Sequence, residues 1–318
     1  MIKKIQFVLA FFLFLFFCNK VFLFPIEHVN ERWGFIDKTG KIVIETKFDS
    51  VGSFSEGLAP VKVDRKWSFI DKTGKVVIYP KFESALSFSE GLAPVIVGSK
   101  EGHKWGFINK AGKFVIEPKF DWVVESFSEG LVPVPIKFDS EGVHKWGFIN
   151  RNGKFVIEPE FDFAIGFTEG LAAVKFGSKK GHKWGFINKT GKVVFEPKFS
   201  ILGNISEGLA PVKVGRKWGF IDKTGKIVIE PKFDSVGSFS EGLAPVKVDR
   251  KWSFIDRTGK VVIYPKFEFA LSFSESLAPV IVDGKWSFID RSGKIVIETK
   301  FHKIGFFFEG LAKVCIKR

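Results

Sequence analysis

Tryptophan recurs at positions 33, 67, 105, 146, 184, 218, 252 and 286, with spacings of 34, 38, 41, 38, 34, 34 and 34 residues. A period in this range restricts a chain to solenoids, propellers or arrays, because a single unit of that size cannot bury its apolar face alone. A length of 318 residues would otherwise suggest about two domains. The period replaces that expectation with eight copies of one unit. The bias in composition agrees: there are 40 Phe and 9 Trp but 2 Tyr and 1 Met. With 45% hydrophobic residues the chain is too apolar to stay unfolded, yet no stretch reaches the roughly 18 to 20 apolar residues of a membrane span.

Each copy reads Lys-Trp-Gly/Ser-Phe-Ile-Asp/Asn, a Gly turn, an apolar run ending in Pro-Lys-Phe, and then Phe-Ser-Glu-Gly-Leu-Ala-Pro-Val. Within the copy the period is two. Trp67 and Phe69 share one face and Ser68 and Ile70 the other, which is the alternation of a strand. Asp71-Lys72-Thr73-Gly74 places Asp first and Gly last in a type I turn, so a bulged hairpin leads into a second strand, Val76-Val77-Ile78, ended by Pro80. After an irregular Phe-Ser-Glu-Gly connection a third strand runs from Leu92 to Val97 and turns tightly into the next Lys-Trp strand. Each unit is thus a three-stranded meander, with room for a short fourth strand between Phe82 and Phe88. Every length variation falls in the tight turn, whose long versions are 98–103, 139–144 and 177–182, and insertions confined to one turn gather on one face of an array. Residues 33–97 and 218–282 differ at only 4 of 65 positions, the mark of a recent duplication.

The copies Lys104-Trp105-Gly106-Phe107-Ile108, Lys145-Trp146-Gly147-Phe148-Ile149 and Lys217-Trp218-Gly219-Phe220-Ile221, each followed by the Glu-Gly-Leu segment, resemble the bacterial KWG or WG repeat family. The resemblance spans residues 33–318. Ser68, Ser253 and Ser287 depart from the Trp-Gly pair, and Ser276 from Glu-Gly-Leu. It implies an all-β domain of eight tandem antiparallel meanders, often exported, with no established catalytic chemistry and no defined ligand.

The two ends of the chain predict how the array is finished. Phe308 to Arg318 stops where a following Lys-Trp strand would begin, and Arg32-Trp33-Gly34-Phe35-Ile36 supplies that strand. Pairing them removes two exposed edges. A propeller-like ring that seats Cys315 across from Trp33 is therefore expected, with an open solenoid as the alternative.

Residues 1–24 read as an export leader: Lys3 and Lys4 precede the apolar run Ile5 to Phe17, and Cys18 follows a Leu at the spacing of a lipoprotein signal. Phe17 departs from the small residue that signal requires, so an uncleaved anchor competes with lipidation at Cys18. Residues 25–31 are a linker and 32–318 the repeat domain. The expected location is the periplasm, outer membrane or cell surface. Cys18 and Cys315 are the two cysteines, which excludes a disulfide framework in a chain that has lost its leader.

Candidate chemistry is sparse. The eight repeat Trp read as core and Trp122, outside the repeat position, as the exposed aromatic. His103, His144 and His182 hold equivalent places in the three long turns. They are weak metal ligands, since no Cys or acid recurs beside them. The Glu of Phe-Ser-Glu-Gly recurs in all eight copies, which suits acceptance of turn amides rather than catalysis, where one pair in divergent environments is needed. A formal charge of +14 comes largely from the Lys-Thr-Gly-Lys turns and suits anionic headgroups or acidic glycans. The expectation is a non-catalytic scaffold without cofactor or bound metal that binds a macromolecule, in first place a protein, through Trp122, Lys100, His103, His144 and His182. Its alternatives are a carbohydrate or peptidoglycan binder and a propeller-type enzyme. Nucleic acid is not expected, because no recognition motif accompanies the leader.

Overall fold

Strand alternation in every copy produces an all-β chain, and the computed structural model describes residues 31–99, 102–137, 144–177 and 181–317 of it. The leader and Lys100 lie outside the described residues. Among the described residues eight antiparallel sheets form, six of four strands and two of three. In blade 2 the order is Ser50–Val51, Leu58–Val63, Lys66–Asp71 and Val76–Phe82. These are the inner, second, third and outer strands, the third carrying the repeat Trp.

The closure expected from the chain ends is present. Strand Leu311–Lys317 pairs with Glu31–Ile36 from Glu31↔Lys317 to Ile36↔Ala312, with Trp33 opposite Cys315. Blade 1 is therefore built from both ends of the chain: Lys303–Phe308 and Leu311–Lys317 inside, Glu31–Ile36 and Ile42–Phe48 outside. The array is a ring, an eight-bladed β-propeller, and not a solenoid.

One expectation about the strands is met and one is corrected. The short fourth strand for which there was room between Phe82 and Phe88 is present as a two-residue inner strand, Ser84–Ala85 in blade 3. The outer strand, however, does not end at Pro80 but runs through it to Phe82. Being outermost, it has no further neighbour to which Pro80 must donate, and the proline falls where the register slips between Trp67↔Phe82 and Phe69↔Ile78.

Apolar burial occurs between blades. One cluster joins Phe35, Ile44 and Phe48 of blade 1 to Phe54, Val61 and Ile70 of blade 2, and similar clusters fill the other seams. Trp146 is 4% exposed and Trp184 6%, whereas Trp122 is 51% exposed. The Trp-Gly pair also has a packing cause. A Cβ on Gly147 would lie 2.6 Å from the carbonyl oxygen of Ile157, so in this blade the bulged outer strand closes tightly on the third strand at that glycine, whereas blades 2, 7 and 8 seat a buried Ser at the same position.

Blades 4 and 5 depart from the pattern. Not every length variation lies in the tight turn: the stretch from Phe120 to Phe127 is one residue longer than that from Phe82 to Phe88, and blade 4 has no assigned inner strand there. In blade 5, Phe195 stands where other outer strands have Ile, and the strand is reduced to the bridges Ile187↔Val193 and Trp184↔Phe199.

Candidate functional site

The propeller has two chemically distinct ends. One collects the turns between second and third strands together with the links from one blade to the next. There an acid at the link pairs with the Lys or Arg that opens the third strand: Asp49 with Arg32, Glu83 with Lys66, Asp121 with Lys104, Asp162 with Lys145 at 2.6 Å, and Asp234 with Lys217 at 2.6 Å.

The three candidate histidines lie at this end, each beside a carboxylate from the preceding link. His144 Nε2 is 3.8 Å from Asp121, His182 Nδ1 is 2.6 Å from Asp162, and His103 contributes to the field on Glu83. All three carboxyls are held below their ordinary range. For Asp121 the largest cause is its bond to Lys104, with His144 adding to it. Burial works against ionisation of Asp162, but Lys145 and His182 outweigh it. The histidines do not converge on one another, and among the described residues no group of three His, Cys, Asp or Glu is placed to hold a metal ion.

Trp122 stands beside Asp121, its ring 6.3 Å from that of His144 in an edge contact. A shallow groove of about 550 Å³ runs from here between blades 3 and 4, over Phe120, Ile136 and Phe155. Trp122 and His144 are thus brought together, with Asp121 and Lys104 beside them, while His103 and His182 belong to the neighbouring seams. Sequence reasoning missed Asp121, Asp162 and their lysines, although the Lys-to-acid separation of 17 residues recurs in the chain and is a readable signal.

The other end carries the Glu-Gly turns. The supposedly irregular connection is a two-residue hairpin: Ser55 and Leu58 exchange backbone hydrogen bonds, with Glu56 at φ 55° and Gly57 at φ 84°. Left-handed values at both positions define a type I′ turn. Each Glu does accept a turn amide, but from the next blade rather than its own. Gly91 donates to Glu56 at 3.0 Å, Gly130 to Glu90 at 3.0 Å, and so on around the ring until Gly57 donates to Glu309 at 3.0 Å. A cation from that next blade joins the clasp, as Lys110 does with Glu56 at 3.1 Å and Lys72 with Glu309 at 3.0 Å. Burial alone would raise the Glu309 carboxyl, yet Lys72 and the Gly57 amide hold it below its usual range.

Against this geometry the relationship of the chain can be placed. The WG-containing repeat family matches eight consecutive segments: 33–67, 67–100, 105–134, 146–179, 184–218, 218–252, 252–286 and 286–317. The chain belongs to that family. No curated protein matches it. Among solved structures it is similar to a eukaryotic initiation factor at 11% identity, with a TM-score of 0.56 and 87% of each chain covered. It is also similar to the β-propeller domain of the trilobed protease from Pyrococcus furiosus at 10% identity, with a TM-score of 0.49, 79% of this chain and 97% of that one. At 11% identity the likeness of this WG-repeat protein to the initiation factor is one of fold.

Proposed function

We propose that this WG-repeat propeller is a non-catalytic scaffold at the cell envelope that docks a protein partner on the end bearing Trp122, over blades 3 to 5. One observation carries the reading: the changes of length and the one disrupted outer strand gather in that sector. The three lengthened turns, the extra residue beside Trp122 and the disrupted outer strand of blade 5 all fall in three consecutive blades, whereas blades 2 and 7 are close copies. Repetition maintains a fold, and local departure from it provides a site. The electrostatics argue against catalysis, because Asp121, Asp162 and Glu83 are held ionised by lysines and none is raised toward the range of a general acid.

The test is capture from envelope extract by the full chain and by a Trp122→Ala/His144→Ala variant, with bound protein identified by mass spectrometry. A species retained by the wild type and lost by the variant is expected. Equal recovery by both, or no recovery by either, refutes the docking surface. The half-exposed indole of Trp122 also supports a second reading, a stacking platform for a neutral pyranose. Glycan-array binding that vanishes in Trp122→Ala would decide for it.

A further inference from the structure

The turn between third and outer strands has the same backbone in every blade but not the same charge. Its first residue is Asp at 37, 71, 222, 256 and 290, and Asn at 109, 150 and 188. Asp71 Oδ1 accepts the amides of Thr73 at 2.9 Å and Lys75 at 3.0 Å. Asn109 Oδ1 accepts those of Ala111 at 3.0 Å and Lys113 at 3.1 Å. Asn150 and Asn188 repeat the arrangement toward Lys154 at 3.1 Å and Lys192 at 3.0 Å. The exchange keeps the turn and removes one negative charge, so folding does not require it.

The three Asn turns belong to consecutive blades, 3, 4 and 5. The lysine that closes the turn is exposed in all eight blades, at 41, 75, 113, 154, 192, 226, 260 and 294. In the Asp blades it faces an anion of its own turn: Asp71 is held below the ordinary carboxylate range by the Thr73 hydroxyl first, with Lys75 contributing. Lys113, Lys154 and Lys192 share their turns with no carboxylate. The other cation of each turn is already engaged in the clasp, Lys110 with Glu56 at 3.1 Å and Lys189 with Glu129 at 3.0 Å, while Arg151 lies against Gly91 beside Glu90. Lys119 extends the positive surface by reaching the carbonyl of Gly153 at 3.5 Å.

We infer that Lys113, Lys154 and Lys192 form a docking arc for a linear polyanion, an acidic polysaccharide, on the end of the propeller opposite Trp122. A flat anionic membrane would meet all eight turns alike, and compensation of five of them by Asp would serve no purpose. A linear chain touches an arc. Carboxylates spaced regularly along a polyuronate meet lysines repeated once per blade without first ordering a flexible backbone, as an acidic peptide must. Single-stranded nucleic acid is bound with aromatic stacking, and the exposed aromatic rings among the described residues, Tyr79, Trp122 and Tyr264, lie outside these turns.

The decisive variant is Asn109→Asp/Asn150→Asp/Asn188→Asp of the full chain, which restores the charge in a turn that already folds with Asp in the other five blades. Titration with polygalacturonate at low salt should show affinity weakened about tenfold, from a modest loss at each of three screened lysines. Lys113→Gln/Lys154→Gln/Lys192→Gln should weaken it to a similar degree, and both variants should keep the wild-type melting temperature. Unchanged affinity in either variant overturns the inference. So does tighter lysine-dependent binding to phosphatidylglycerol vesicles, poly-glutamate or single-stranded DNA than to polygalacturonate.

Discussion

Lys313 in the closing blade offers a quantitative test of how the ring is held shut. It stands where the other second strands carry Pro60, Pro94, Pro133, Ala173, Pro211, Pro245 and Pro279. Its stem packs on Gly305, where a Cβ would lie 2.6 Å from Lys313 Cγ, and its amine sits 5.8 Å from the ring centre of Trp33. Among the described residues it has no ion-pair partner, and burial lowers its pKa from 10.5 to about 8. On the same strand, two residues on, the Cys315 thiol is pushed up to about 11 by burial and by Glu31, so it stays neutral at pH 7. A downward displacement of 10.5 to about 8 corresponds to roughly 3 kcal/mol of destabilisation by the charged amine. The flank open to solvent and the contact with Trp33 return part of it, leaving about 2 kcal/mol. The unfolded chain binds the proton more tightly, so stability should rise as pH climbs through the interval between the two values. Lys313→Met keeps the stem and removes the charge. In urea denaturation at pH 7 it should be about 2 kcal/mol more stable than wild type, and the difference should fade toward zero above the unfolded pKa of about 10.5. A variant no more stable at pH 7, or a difference that ignores pH, would refute the reasoning.

Four further outcomes are expected. Trp146→Ala or Trp184→Ala should cost about 3–5 kcal/mol by denaturation and Trp122→Ala less than about 1 kcal/mol, because only the first two are enclosed. Gly147→Ala should cost more than about 2 kcal/mol, and Gly185→Ala distinctly less, since the nearest atom to the new Cβ is at 2.6 Å in one case and 3.3 Å in the other; equal losses would show that the outer strand does not rest on that glycine. Phe195→Ile should rebuild the outer strand of blade 5 and raise hydrogen-exchange protection over residues 193–199, and unchanged exchange would trace the disruption to another cause. Cys315 should resist iodoacetamide at pH 8 in the folded chain and react once urea unfolds it, given its burial and raised pKa; rapid labelling of the native form would contradict both.

The repeat, its alternation and its closure were legible because each is periodic or terminal. Trp33 and Cys315 belong to complementary halves of one unit, and pairing the two chain ends satisfies both edges. The inner strand was legible only as room for a fourth strand between Phe82 and Phe88, because a pair such as Ser84–Ala85 is too short to show alternation. The Glu-Gly hairpin escaped notice because Glu at positive φ is disfavoured locally and is sustained here by a bond from the neighbouring blade, as from Gly91 to Glu56. At the candidate site Trp122 could be singled out as an aromatic outside the repeat. Its companions Asp121 and Lys104 are ordinary charged residues until the fold sets one link against the start of one strand.

A blade assembled from both ends of the chain bears on how the protein is made. Strand Glu31–Ile36 is among the first parts of the propeller to leave the ribosome, and its partner Leu311–Lys317 is the last. At about 5–20 residues per second, the interval between them is roughly 15–50 s. Through that time the leading hairpin presents an unpaired, Phe- and Ile-rich edge to whatever surrounds the nascent chain. The seven later blades can form in chain order, but blade 1 waits for its closing strand. Quality control of this protein therefore reduces to guarding one hairpin until the final strand arrives.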